Sequence, residues 1–117
     1  MADRVRVLKS LVALDQPLLE IIESLRRFSW DSDKDLVILK IEDLAAILDR
    51  FLAGDLSDSE VEAWANAIES REDIGFDEVG EDLIRDVIDR LANPELSGPL
   101  TDEFARRIQN SWSLGRA

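Results

Sequence analysis

The 117-residue sequence contains no cysteine, no histidine and no tyrosine. The absence of cysteine excludes disulfides, thiolate metal sites and cysteine nucleophiles. The absence of histidine removes the commonest general base and the best ligand for zinc, copper or nickel. Catalysis would have to rest on carboxylates, serine or one of the three lysines, Lys9, Lys34 and Lys40. We therefore expect a protein that is not an enzyme and that needs no cofactor or metal ion.

Long apolar segments are also missing. No run approaches the roughly eighteen apolar residues that a membrane-spanning helix needs. Near the N-terminus, Arg4, Arg6 and Lys9 interrupt any apolar signal core. A length of 117 residues with 45% hydrophobic residues is typical of one domain with a single core. The sequence thus predicts one helical domain over residues 1–117, located in the cytoplasm and not bound to a membrane.

The negative charge is concentrated in the segment from Asp55 to Asp89. This segment holds two basic residues, Arg71 and Arg85, and accounts for eleven of the twelve net negative charges. Its thirteen acidic residues are Asp55, Asp58, Glu60, Glu62, Glu69, Glu72, Asp73, Asp77, Glu78, Glu81, Asp82, Asp86 and Asp89. Such a surface repels nucleic acid and anionic lipid. A localised charge of this sign favours a basic protein as the partner.

Hydrophobic spacing is helical along most of the chain, which predicts an all-α fold, an irregular or orthogonal bundle of five to six helices. Ser57 and Glu60 form a capping box before a helix whose apolar face includes Trp64. Another helix is expected from about Glu81 to Ala92, and Thr101 is expected to cap the last one. Residues 36–39 are ambiguous between a short strand and a helix entry. Because no partner strand is evident, we predict no sheet.

One loop resembles the helix–loop–helix calcium pattern. Its positions 1, 3, 5, 7 and 12 are occupied by Asp31, Asp33, Asp35, Val37 and Glu42. Position 6 of that pattern requires a glycine with positive φ, and here it is Leu36. The loop is therefore interpreted as a polar connection that leads into a helix. A degenerate calcium-binding module stays as an alternative function, as does a metal-dependent carboxylate hydrolase.

The end of the helix that contains Trp64 allows two interpretations. In one, Asn66, Glu69, Arg71 and Asp73 build a polar recognition site. In the other, which we favour, Trp64 lies in the core and Arg71 forms an ion pair with Glu69 or Asp73. Arginine near a helix end and aromatic residues at helical spacing are common features of ordinary folds.

The candidate partner-binding surface consists of acidic residues from two predicted helices and the loop between them. In the second helix, Asp82, Asp86 and Asp89 lie opposite Leu83, Val87 and Leu91, so their side chains should be exposed. Carboxylates left close together repel one another, and a basic partner would relieve that repulsion. A solvated face that only confers solubility is the alternative. The candidate residues are Glu62, Glu69, Glu72, Asp73, Asp82, Asp86 and Asp89.

Several stretches resemble a family of small, uncharacterised, acidic helical proteins from bacteria. The resemblance covers residues 51–66, 71–76 and 91–94 and the turn over 30–33. It implies a small helical protein and supplies no catalytic residues. In size, acidity and helicity the chain is also similar to immunity proteins, which neutralise secreted bacterial nucleases by covering their basic active sites. That likeness implies binding to a basic toxin.

Overall fold

Seven helices and two short strands make up the described part of the chain. The computed structural model describes residues 4–28 and 35–116, with side chains as far as residue 110. The elements in chain order are α1 (Arg4–Ala13), α2 (Leu18–Leu25), β1 (Val37–Leu39), α3 (Ile41–Leu52), α4 (Asp58–Glu69), β2 (Ile74–Phe76), α5 (Glu81–Ala92), α6 (Pro94–Ser97) and α7 (Asp102–Arg116). The fold is therefore mostly helical, as predicted, with more helices than expected and a small sheet in addition.

The two strands correct the prediction that no sheet forms. β1 and β2 pair in parallel, with Val37 opposite Ile74 and Leu39 opposite Phe76. Val37, Leu39 and Ile74 are buried, so the pairing is held by the core on one side. The loop expected between the helix that contains Trp64 and the helix from about Glu81 thus contains a strand. The pairing could not be predicted from the local sequence, because each strand has only three residues and its partner lies far along the chain.

Several helix ends follow from local sequence, as predicted. The Ser57 Oγ accepts the Glu60 amide at 3.1 Å, and the Glu60 carboxylate accepts the Ser57 amide at 3.0 Å. Thr101 Oγ1 accepts the Phe104 amide at the start of α7. Gly54, with φ +86°, follows α3 in the left-handed conformation that ends helices. These contacts confirm the predicted capping box and the Thr101 cap.

The end of α1 is unusual because Leu14 adopts a positive φ of 49°. For a residue with a Cβ this conformation costs about 1–2 kcal/mol. Leu14 is buried, and the Arg50 guanidinium donates hydrogen bonds to the carbonyls of Ala13 and Leu14 at 3.2 and 2.8 Å. Burial and these bonds from α3 offset the strain, so α3 helps to fix where α1 ends.

The core is centred on α4. Trp64 is completely buried, and its indole nitrogen donates to the Leu11 carbonyl of α1 at 2.8 Å. On another side α4 packs extensively against α5. The two helices run antiparallel: the Asn66 amide nitrogen donates to the carbonyl of Ala92, the last residue of α5, at 3.3 Å, and Glu69, three residues further along α4, is near Asp89, three residues earlier in α5. This packing places the C-terminal end of α4 beside the C-terminal half of α5.

Candidate functional site

An open acidic cleft lies where α4 ends, between β2 and α5. Its volume is about 800 Å³. Ile68, Ile74 and Ile88 contribute apolar atoms to it. Seven carboxylates and two guanidinium groups supply its charged lining: Asp35, Glu69, Glu78, Glu81, Asp82, Asp86, Asp89, Arg71 and Arg85. We call this feature the acidic cleft.

Glu69, the last residue of α4, and Asp89 on α5 both line the cleft. Partial burial, followed by the negative charge of Asp89, raises the pKa of the Glu69 carboxyl above its ordinary value. No salt bridge within the described part of the chain reaches either carboxylate. Among the described residues, these two neighbouring carboxylates therefore have no basic group in an ion pair with them.

The carboxylates on α5 differ in their surroundings. Asp82, Asp86 and Asp89 are all exposed, which confirms the predicted orientation of this helix. Asp86 forms an ion pair at 3.0 Å with Arg90, which lies one turn further along α5. Asp89 accepts a hydrogen bond from the Asn93 side chain at 3.2 Å. Asp82 has no ion-pair partner among the described residues, so it adds an unneutralised charge to the cleft.

Asp73 does not belong to the exposed acidic surface on which it was predicted. Its side chain is completely buried, and its carboxylate accepts three hydrogen bonds from arginines, two from Arg71 at 2.8 Å and one from Arg4 at 2.9 Å. Burial raises the pKa of Asp73, but hydrogen bonds and charge from Arg71 and Arg4 outweigh it and hold that pKa below its usual value. The predicted pairing of Arg71 with Asp73 is confirmed, whereas Asp73 itself cannot contact a partner in this fold.

The main chain of Asp73 has a second structural role. Its carbonyl accepts the amides of Leu36 and Val37 at 2.8 and 3.2 Å, at the start of β1. One residue therefore ties α1, the loop after α4 and β1 together. It lies directly before β2, so these bonds also fix the wall of the acidic cleft.

Two other predicted residues lie away from the cleft. Glu62 is half-buried and lines a smaller cavity of about 200 Å³, beside Arg90 and Pro94. Glu72 is exposed in the turn after α4. The structure thus brings four of the seven predicted residues into one cleft, namely Glu69, Asp82, Asp86 and Asp89.

Residues outside the predicted partner-binding set complete the cleft. Glu78 and Glu81 line it, and their membership of the acidic segment was the available signal. Asp35 comes from outside that segment and lies against Gly75 so closely that a Cβ at Gly75 would overlap the Asp35 carboxylate. Only the β1–β2 pairing brings Asp35 there. Phe76 and Arg85 line the cleft side by side, with the guanidinium 5.1 Å from the ring centre.

The calcium-like loop lies partly outside the described residues, because Asp31 and Asp33 fall in the segment that is not described. Leu36, at its sixth position, does not have the positive φ that the calcium pattern needs there. Its amide donates instead to the Asp73 carbonyl. Within residues 4–28 and 35–116, no three or more acidic side chains are grouped as a metal ion would require.

Calcium is therefore expected to bind no more tightly than at millimolar concentration, the weakest range for such loops. Isothermal titration of the purified protein with calcium chloride measures this directly. A micromolar dissociation constant that is lost in Glu42→Gln would instead establish a functional calcium loop.

Comparisons with protein-family models, with curated proteins and with solved structures find no match. Among the helices of the described segments, none combines the length and apolar character needed to cross a bilayer.

Proposed function

We propose that the protein acts by binding a basic protein partner through the acidic cleft. The main support is that Glu69 and Asp89 line the same cleft, close enough for the charge of Asp89 to raise the Glu69 pKa, and that neither forms a salt bridge among the described residues. A lysine or arginine from a partner would relieve the repulsion between the two carboxylates and would be attracted by both negative charges. Asp82 beside them extends the same negative surface along α5.

A solvated face would not need this arrangement. Some exposed charges elsewhere on the surface pair within a helix turn, as Glu23 does with Arg26 and Glu103 with Arg107. On α5 itself Asp86 pairs with Arg90. The cleft nevertheless gathers seven carboxylates and only two guanidinium groups in a concave site of about 800 Å³, where field lines are focused and a cationic side chain can be partly enclosed.

In its sharper form, the proposal is that the protein neutralises a basic toxin in the manner of an immunity protein. A nuclease active site carries positive charge to hold phosphate, and an acidic protein placed over it would block the substrate. The test of this form is inhibition. A partner isolated from the native host by affinity capture and identified by mass spectrometry should lose nuclease activity when the purified protein is added in equal amount.

The cleft is tested by Glu69→Gln combined with Asp89→Asn. With the captured partner, we expect association about three- to tenfold slower at low salt, and a smaller difference as salt rises, because the lost attraction is electrostatic and screened. Stopped-flow mixing at two salt concentrations measures it. Folding stability at neutral pH should hold or rise slightly, since like-charge repulsion is removed. Any such gain should vanish in acid, where Glu69 is already protonated in the folded protein.

The matched control is Glu20→Gln combined with Glu23→Gln. These residues are exposed on α2, do not line the cleft, and change the net charge by the same amount. The control should associate almost as fast as the unmodified protein. Equal rates for both double variants would contradict a binding role for the cleft and leave its charge as a solvated face.

A further inference from the structure

The acidic cleft already holds one exposed cation of its own, the guanidinium of Arg85. This side chain projects from α5, donates to the Glu81 carboxylate at 2.9 Å and lies over the ring of Phe76 at 5.1 Å from its centre. All three residues line the cleft. An aromatic face with a carboxylate beside it is the kind of site that recognises arginine.

The two arginines of the cleft differ in how firmly they are held. Arg71 is fixed by two bonds to the buried Asp73 carboxylate, and its side chain is only 10% exposed. The Arg85 side chain is 63% exposed and is held by one exposed ion pair and one ring contact, both weak. Arg85 can therefore leave its position by side-chain rotation alone, whereas Arg71 cannot.

We propose that Arg85 is an internal competitor for the acidic cleft. In the free protein its guanidinium occupies the Phe76–Glu81 position, and an arginine of the partner displaces it and takes that position. This inference rests on the proposed function, because it assigns the chemistry of the group that enters the cleft. It also predicts that Arg85 partly inhibits partner binding in the free protein. The same side chain would exclude weakly binding, non-specific cations from the acidic cleft.

The experiment uses the full chain and an acetylated, amidated hexaarginine peptide as the probe. Ring currents of Phe76 should shift the Arg85 δ-proton NMR signals upfield in the free protein, and saturation with the peptide should return them toward ordinary values. In the same titration the amide signals of Glu69, Gly75 and Asp89 report whether the peptide enters the cleft at all.

Affinity is compared between Arg85→Gln and Arg26→Gln. Both remove one positive charge and one exposed ion pair, and neither Arg26 nor its partner Glu23 lines the acidic cleft. Arg85→Gln should bind the peptide about three- to fivefold more tightly than Arg26→Gln, the size expected for losing a weak ring contact and an exposed ion pair within the cleft. The difference should persist at about 1 M salt, where charges that do not touch are screened beyond roughly 3 Å.

The outcomes separate the two proposals. Cleft amides that shift while the Arg85 signals stay unchanged, or equal affinities for the two variants at high salt, would overturn the competitor role and leave the acidic cleft as a binding site. Cleft amides that do not respond to the peptide at all would overturn both.

Discussion

Asp73→Asn is expected to lower the free energy of unfolding by about 3–5 kcal/mol, because it removes the buried negative charge that forms ion pairs with two half-buried arginines. Asp73 is fully buried and accepts hydrogen bonds from Arg4 and Arg71. An asparagine side chain offers one acceptor oxygen where the carboxylate offers two. Urea denaturation followed by circular dichroism measures the loss.

The control for this substitution is Glu72→Gln. It removes the same charge at the preceding position, but Glu72 is exposed, so the change should stay within about 0.5 kcal/mol. If the two variants were equally stable, the Arg4–Asp73–Arg71 cluster would contribute nothing to folding. In that case α1 and β1 would have to be held by apolar contacts alone.

The same cluster predicts how stability depends on pH. The folded-state pKa of Asp73 is lowered, while the unfolded chain has the ordinary value of about 3.9. On acidification the unfolded state therefore binds the proton first. The contribution of Asp73 is complete above the unfolded pKa and is lost as pH falls through the folded pKa. The stability gap between the unmodified protein and Asp73→Asn should thus narrow below about pH 4. A gap that stays constant from pH 7 to pH 3 would contradict the ion-pair account.

Features governed by neighbouring residues could be predicted from the sequence. The capping box at Ser57 requires residues only three positions apart, and the α5 pattern places Asp82, Asp86 and Asp89 away from the core by periodicity alone. Both predictions were confirmed. The concentration of charge between residues 55 and 89 could also be read from the sequence, and α4 and α5, which both belong to that segment, pack against each other in the fold.

Features that depend on distant contacts could not be predicted. Asp73 was predicted to be an exposed acid of the partner-binding surface. Arg71 lies close to it in the sequence, but nothing in the sequence indicates that Arg4, 69 residues away, also binds its carboxylate in the buried site. The β1–β2 pairing could not be predicted for the same reason. Three-residue strands carry too little periodicity to be recognised, and their pairing depends on helices α3 and α4 folding between them. The position of Asp35 in the acidic cleft therefore could not be predicted either.

Trp64→Ala is expected to cost about 3–5 kcal/mol, the usual penalty for removing a buried tryptophan. Trp64 is the largest completely buried side chain among the described residues. It lies between α4 and α1, where its indole nitrogen donates to the Leu11 carbonyl at 2.8 Å. The substitution creates a cavity at the centre of the core and removes the link between these helices. Domains of this size are typically stable by about 5–15 kcal/mol, so the loss is a large share of the total.

Trp64→Phe separates the two contributions of this residue. Phenylalanine keeps part of the ring volume and loses the indole donor. In Trp64→Phe the Leu11 carbonyl still accepts a hydrogen bond from the amide of Leu14 at 3.2 Å, so this carbonyl is not left without a partner. We therefore expect Trp64→Phe to be destabilised distinctly less than Trp64→Ala. Thermal unfolding followed by far-ultraviolet circular dichroism compares them, and Trp64→Ala should melt at least about 12 °C lower than the unmodified protein. An unchanged melting temperature would mean that Trp64 is exposed in solution, which would make it a candidate binding anchor and would contradict the core described here.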